Sequence, residues 1–331
     1  VSRPIYIFQS GRLARKANTV FFENSEGVKR YIPVENTSEI YLFGEIDLNK
    51  DALEFFAKNE IILHFFNYYE YYVGSFYPRE HYNSGYMIVK QVEHYLNPQK
   101  RLLLAKRFVE GAGANIQKVL SYYLRRGADV SSQLNVVADL VKSIDDQPDV
   151  PRLMALEGKM HETYYEAFPK IVEQEEFELK RRTRRPPKDS INALVSFANS
   201  LVYSTVLSSI YKTHLDPRIG FLHESNFRSF SLNLDVAEIF KPIIADRAVF
   251  SAINKQIIDT ADFEKRLNGI YLNESGAKKF VQVFDEKMQS TLNYKKIKRN
   301  VSYKTLIRLE LYKLEKHFMG EEMYRPFVAE W

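Results

Sequence analysis

Short apolar runs separated by turn residues open the chain. Ile5-Tyr-Ile-Phe ahead of Gly11, Thr19-Val-Phe-Phe ahead of Asn24-Ser-Glu-Gly, Arg30-Tyr-Ile-Pro-Val, Glu39-Ile-Tyr-Leu-Phe ahead of Gly44, Ile61-Ile-Leu-His-Phe-Phe and Tyr71-Tyr-Val ahead of Gly74 read as strands. One helical pattern, near Lys50 to Lys58, interrupts them. Strands this short and closely spaced predict a small β-sandwich or rolled sheet. After Tyr77-Pro-Arg-Glu and Ser84-Gly85 the period becomes helical. The pattern therefore predicts an α+β chain: a small N-terminal β-sandwich-like domain over 1–85, then a larger all-helical domain over 86–331.

Within the helical part, Arg101-Leu-Leu-Leu-Ala-Lys-Arg-Phe-Val-Glu starts an amphipathic stretch that reaches about Arg126. Asp149 can cap a helix that has Pro151 in its first turn and runs to about Phe168. Asp189 can cap a long apolar helix, and further helical patterns cover Leu232 to Lys241, Ser275 to Gln289 and Tyr303 to His317. Ile191 to Tyr211 carries no charge and is long enough to span a bilayer. It also contains Asn192, Ser196, Asn199, Ser200, Ser204, Thr205, Ser208 and Ser209, which are costly in lipid, so a buried central helix and no membrane partner are expected. The start of the chain lacks the basic and apolar segments of a secretory leader.

Composition narrows the function classes. The chain has 331 residues, enough for two domains, and its 45% hydrophobic and 27% charged residues exclude disorder as the default. Aromatic residues reach 14%; they fill cores and also stack on bases, so they do not decide between the two. The net charge is only +5, so a nucleic-acid reading requires the cations to be clustered. With no cysteine, disulfide scaffolds, thiolate zinc sites and cysteine nucleophiles are excluded, which fits a reducing cytoplasm.

Phosphate-cradling glycine loops, nucleophile elbows and His-Glu-x-x-His are absent. Polar residues in apolar neighbourhoods stand out instead. Glu157 lies in Leu153-Met-Ala-Leu-Glu-Gly, and His223 follows Ile219-Gly-Phe-Leu. Asp235 and Glu238 are three apart in Leu232-Asn-Leu-Asp-Val-Ala-Glu-Ile-Phe-Lys-Pro, on one side of a helix. A carboxylate facing a core is costly unless it is paired or holds a cation. Carboxylates with one imidazole make a mostly oxygen site that suits Mg²⁺ or Mn²⁺ acting on phosphodiesters. Salt bridges or a solvated helix face account for the same residues without a metal. A zinc site built on Glu157 and His161, four apart, is a further alternative.

Lys180-Arg-Arg-Thr-Arg-Arg-Pro-Pro-Lys188 concentrates six cations, and its prolines stop a helix. It reads either as a solvated loop or as a phosphate-tracking segment formed by Arg181, Arg182, Arg184, Arg185 and Lys188. Lys295, Lys296, Lys298 and Arg299 form a second cluster.

Taken together, these blocks resemble CRISPR-associated protein 1, the integrase subunit of CRISPR adaptation. The resemblance is carried by Leu156-Glu-Gly with Tyr164, by Arg184-Arg-Pro-Pro-Lys-Asp-Ser-Ile-Asn-Ala-Leu, by Leu215-Asp-Pro-Arg-Ile-Gly-Phe-Leu-His-Glu, and by the Leu232 to Pro242 block with Asp246 beyond. Phe43-Gly-Glu, Leu63-His-Phe-Phe-Asn and Val73-Gly-Ser-Phe-Tyr-Pro-Arg-Glu extend it into the first domain. It implies metal ligands at Glu157, His223 and Glu238, with Asp235 as the acidic partner of Glu238 and Lys241 as a phosphate contact. Many relatives carry Asp at the Glu238 position; the longer arm should still reach an ion. His161 falls where relatives tend to have a small residue, which counts against the zinc alternative. The resemblance also implies a homodimer, a complex with CRISPR-associated protein 2, and double-stranded DNA (spacer precursor and CRISPR repeat) as substrate. The function so implied is metal-dependent cleavage and insertion of foreign DNA as new spacers; a non-enzymatic DNA-binding scaffold is the alternative.

Overall fold

The computed structural model describes residues 3–78, 82, 84–225, 230–266, 269–294 and 296–330. The chain divides into two compact units, Val1–His81 and Tyr82–Trp331.

The first unit is built from β1 (Arg3–Ile7), β2 (Gly11–Lys16), β3 (Thr19–Asn24), β4 (Lys29–Ile32), β5 (Thr37–Leu42), β6 (Ile46–Leu48), α1 (Lys50–Lys58), β7 (Ile62–Phe66) and β8 (Tyr72–Phe76). Two four-stranded sheets form, ordered β1-β5-β7-β8 and β4-β3-β2-β6. Both are mixed: β1, β5 and β7 run parallel, β8 runs antiparallel to β7, and β6 lies parallel to β2 beside an otherwise antiparallel sheet. Leu13, Val20 and Phe22 from one sheet and Ile40, Leu42 and Leu63 from the other meet in one core, which Phe55 and Phe56 of α1 complete. Asn49 caps α1, its side chain accepting from the Ala52 N–H.

The second unit contains α2 (Gly85–Leu96), α3 (Pro98–Leu124), α4 (Ser131–Lys142), α5 (Val150–Glu166), α6 (Phe168–Ile171), α7 (Ser190–Tyr211), α8 (Ser231–Phe240), α9 (Arg247–Asn254), α10 (Glu274–Gln289) and α11 (Tyr303–Phe318). The expected caps form: Asp149 accepts from Arg152 N at 2.8 Å and Asp189 from Asn192 N at 2.8 Å. This unit also carries two short antiparallel hairpins, β9 (Phe263–Arg266) with β10 (Gly269–Leu272) and β11 (Thr291–Tyr294) with β12 (Arg299–Ser302), so the expectation of an all-helical domain is corrected to that extent. β9 and β12 are short and mostly polar or charged, and the apolar Ile270-Tyr-Leu272 of β10 is too brief to show a strand period.

Helix α7 is long and apolar enough to cross a membrane, yet 78% of its most apolar window is buried inside the protein. Several of its hydroxyls bond back to its own carbonyls, as Ser204 to Ser200 at 2.9 Å and Thr205 to Leu201 at 2.8 Å, so these side chains are satisfied within the helix. It is the central core helix of this unit. After α8 the chain continues through a π-helical segment, Pro242–Asp246, into α9. Asp246 N donates to Lys241 O at 3.0 Å, a wider turn that shifts the face on which Asp246 emerges.

Candidate metal centre

Helix α5 carries Glu157 and His161 one turn apart, and α8 carries Asp235 and Glu238 three apart. The loop between α7 and α8 carries His223. Its path is set by side chains at both ends. Gln91 of α2 accepts from Asp216 N at 2.8 Å and donates to Asp216 O at 3.1 Å. Gly220 donates to Ser231 Oγ at 2.8 Å, and a Cβ there would stand 2.5 Å from the Ser231 carbonyl carbon, so only glycine permits this approach. Leu222 is buried in the same cluster as Leu153 and Met160 of α5. The loop is thereby pressed between the two helices that hold the glutamates.

Asp235 is fully buried and its carboxylate is spent on this loop. Oδ2 accepts from Phe221 N at 2.6 Å and Leu222 N at 3.1 Å, and Oδ1 accepts from His223 N at 2.9 Å. The His223 ring closes the set, its Nδ1 lying 2.8 Å from Oδ1. A carboxylate on Nδ1 fixes the tautomer and leaves Nε2 as the atom with a lone pair, the arrangement found behind metal-binding histidines. Burial lowers the His223 pKa, but Asp235, Glu238 and Glu157 outweigh it and raise it; all three carboxylates therefore lie within electrostatic reach of the ring.

Glu157 and Glu238 converge on His161. Its Nε2 lies 3.1 Å from Glu157 Oε1 and 3.3 Å from Glu238 Oε2. That nitrogen is buried and not aligned for a hydrogen bond to either oxygen, so the short distances carry a charge interaction alone. Burial would lower the His161 pKa, yet the two carboxylates push it up to about 10. Burial likewise works to raise Glu238, but Lys241 and His161 hold it well below the usual carboxylate range. Lys241 is ion-paired with Glu238, three residues back on the same helical face.

One donor atom each from Glu157, His161 and Glu238 lies within 4.8 Å of the others, a group that could hold a metal ion. A buried nitrogen left without a hydrogen bond between two carboxylates fits a place for a shared cation. Oxygen donors with imidazole suit a divalent ion. Of the residues expected from the sequence, Glu157 and Glu238 come together and His223 stands beside them. Asp235 instead organises the His223 loop, and Lys241 is engaged with Glu238. His161 is closer to the centre than the resemblance implied; its spacing from Glu157 was visible, but its meeting with Glu238 was not. Asp246 had no assigned role. It is buried, and burial pushes its carboxyl up to about 7 against the opposing pull of His161, Lys241 and Arg182.

The basic run divides. Arg182 turns inward, donating to Asn192 Oδ1 at 2.9 Å and Ser196 Oγ at 3.0 Å on α7, with its guanidinium 5.9 Å over the Tyr165 ring. Arg181, Arg184, Arg185 and Lys188 are exposed. In the second cluster Lys296 pairs with Glu322 at 2.6 Å, and Lys295 lies outside the described residues.

The family model described as CRISPR associated protein Cas1 matches residues 5–286. The chain is 57% identical, over the full length of both, to a CRISPR-associated endonuclease Cas1 of Thermodesulfovibrio yellowstonii. It is 46% identical to a CRISPR-associated endonuclease Cas1 of Thermotoga maritima, covering 97% of this chain and 98% of that one. The solved structure of a Cas1 protein from Thermotoga maritima superposes with a TM-score of 0.89 at 44% identity, covering 99% of this chain and all of the other. A casposase bound to integration product shares the fold, with a TM-score of 0.89 at 20% identity over 99% of this chain and 93% of that one. The chain belongs to the CRISPR-associated protein Cas1 family.

Proposed function

We propose that the chain is a divalent-metal-dependent DNA endonuclease and integrase of the prokaryotic cytoplasm that inserts foreign DNA fragments as new spacers into a CRISPR array. The observation that carries the reading is the convergence of Glu157 and Glu238, from separate helices, around one buried nitrogen. Relatives named CRISPR-associated endonuclease Cas1 support it at high identity over the whole chain. The casposase with its integration product shares the fold, as does a Cas6-RT-Cas1–Cas2 complex. Double-stranded DNA, a second copy of the chain and CRISPR-associated protein 2 are the partners in this reading.

Glu157, His223 and Glu238 would hold Mg²⁺ or Mn²⁺, with the His223 Nε2 left available by the Asp235 contact to Nδ1. When bound, the ion supplies charge neutralisation at the scissile phosphate and lowers the pKa of the attacking hydroxyl. Asp235 keeps the His223 ring in the ligating tautomer and orientation. Protonated His161 balances the two carboxylates when no ion is present. Lys241 stands one helical turn from Glu238 and can exchange its ion pair for a phosphate oxygen. The exposed cations Arg181, Arg184, Arg185 and Lys188 guide the strand, which places the reacting phosphate without a covalent enzyme intermediate. A 3′-OH as nucleophile joins DNA; water cuts it.

The test is plasmid scission and strand transfer with Mn²⁺ or Mg²⁺, with and without chelator. Wild-type protein should cut and join only with metal. Glu157→Ala and His223→Ala should do neither while still binding DNA. A wild-type protein that binds DNA but never cuts or joins it would replace this reading with that of a scaffold.

A further inference from the structure

A cleft of about 480 Å³ lies away from the carboxylate cluster, within the range of about 300–1,000 Å³ typical of small-ligand sites. Tyr122, Arg125 and Arg126 at the end of α3, Arg247 at the start of α9, Lys287 in the last turn of α10 and Tyr303 at the start of α11 contribute to its wall. Four cations from three helices and their ends thus face one space, and no carboxylate among the described residues lines it. The ends of α3 and α10 favour a cation each through their dipoles, but that does not account for the convergence on one cleft.

The cations are held by ring faces. The Arg247 guanidinium lies 4.7 Å over Tyr122 and that of Arg126 5.5 Å from the same ring, with its Nη1 3.3 Å from the Tyr122 hydroxyl. The Lys287 ammonium lies 4.2 Å over Tyr303. Burial first and Arg247 second lower the Lys287 pKa to about 7, with no carboxylate contributing. A partly buried ammonium facing guanidinium groups is costly, and an anion in the cleft relieves that cost. Guanidinium forks match phosphate oxygens, and a flat guanidinium stacked on a ring has a second face that can accept a base plane. An acidic peptide would use the cations but not the flat faces.

We infer that this cleft binds a nucleotide unit, a phosphate with its base alongside, at a site separate from the metal centre. The source is either a single-stranded segment of nucleic acid or a free nucleotide. The inference does not rest on the metal reading, because its test runs without divalent ions.

Binding of a fluorescein-labelled oligothymidylate to the full chain is measured by anisotropy in excess chelator. Arg126→Gln combined with Lys287→Gln should weaken it at least about tenfold and reduce the slope of log K against log salt by about 1.4. A second measurement needs no variant: acetic anhydride labelling of Lys287 in wild-type protein, followed by mass spectrometry, with oligothymidylate, thymidine monophosphate or inorganic phosphate present. Protection by the oligonucleotide alone supports a strand site. Protection by the mononucleotide as well, at concentrations where inorganic phosphate has no effect, supports a free-nucleotide site. Equal protection by inorganic phosphate overturns the part assigned to the base. Lys287 left unprotected by all three overturns the site.

Discussion

Asp235 grips His223 twice, accepting from its backbone N–H at 2.9 Å and lying 2.8 Å from its ring Nδ1. Three backbone N–H groups of the loop depend on the same carboxylate. Asp235→Ala strands them in the interior at a cost of about 1–3 kcal/mol for each unsatisfied donor. Denaturant unfolding should show a loss of several kcal/mol. Asp235→Asn keeps the shape and one acceptor oxygen but removes the charge behind the imidazole. It should fold, and metal-dependent cleavage should fall by about 10–100-fold.

His161 separates two sets of ligands. With Glu157, His223 and Glu238 as the ion's holders, His161→Gln keeps metal-dependent scission, at most about tenfold slower. It removes the cation between the Glu157 and Glu238 carboxylates, so the variant should melt below wild type in chelator and gain more than wild type on adding Mn²⁺. Complete loss of scission in this variant, with His223→Ala still active, would transfer the imidazole ligand from His223 to His161.

The basic run should respond unevenly to charge removal. Arg182→Ala breaks bonds to Asn192 and Ser196 and should cost about 1–3 kcal/mol in a thermal or denaturant melt. Arg184→Ala with Arg185→Ala should weaken DNA binding, with a shallower salt dependence read by filter binding.

Acid should loosen the seam between α2 and α11. His317 Nδ1 accepts from Tyr324 N at 3.2 Å, and the His94 ring stands 5.2 Å away. Burial first, then His94 and Lys100, lower the His317 pKa from its ordinary 6.5 to about 4, against a smaller upward pull from the Glu322 backbone. The unfolded chain takes up this proton near 6.5 and the folded chain only near 4. The unfolded state therefore binds more protons across that window, and stability falls as pH drops through it. His317→Gln should flatten the acid limb of a melting-temperature profile between pH 6.5 and pH 4 relative to wild type.

Helices with an amphipathic period and a polar cap were legible in the sequence because both signals are local. Asp149 and Asp189 cap where their spacing says they should. β2 escaped notice because its Gly-Arg-Leu-Ala-Arg-Lys buries only Leu13 and Ala14, too few positions to show a period. β6 is three residues long, and its pairing with β2 is a tertiary event. At the centre, the four-residue spacing of Glu157 and His161 was readable, whereas the arrival of Glu238 depends on how α5 and α8 pack. Asp235 and Glu238 share a helix side, as three-residue spacing requires, but spacing could not show that one grips a loop while the other faces His161. Which arginine of the basic run turns inward was equally hidden. The available sign lay elsewhere in the chain, in Asn192 and Ser196, polar residues on an otherwise apolar helix that needed a partner.

The final stretch of chain is stitched into the same framework. Asn115 of α3 donates to Ile239 O, beside Glu238, and to Phe327 O, and accepts from Ala329 N. Glu310 accepts from Tyr324 Oη and Phe327 N. One amide thus ties the tail to the turn of α8 that presents Glu238. Trimming back to Tyr324 would leave that knot half undone, so the placement of a purification handle bears on the helix that carries Glu238.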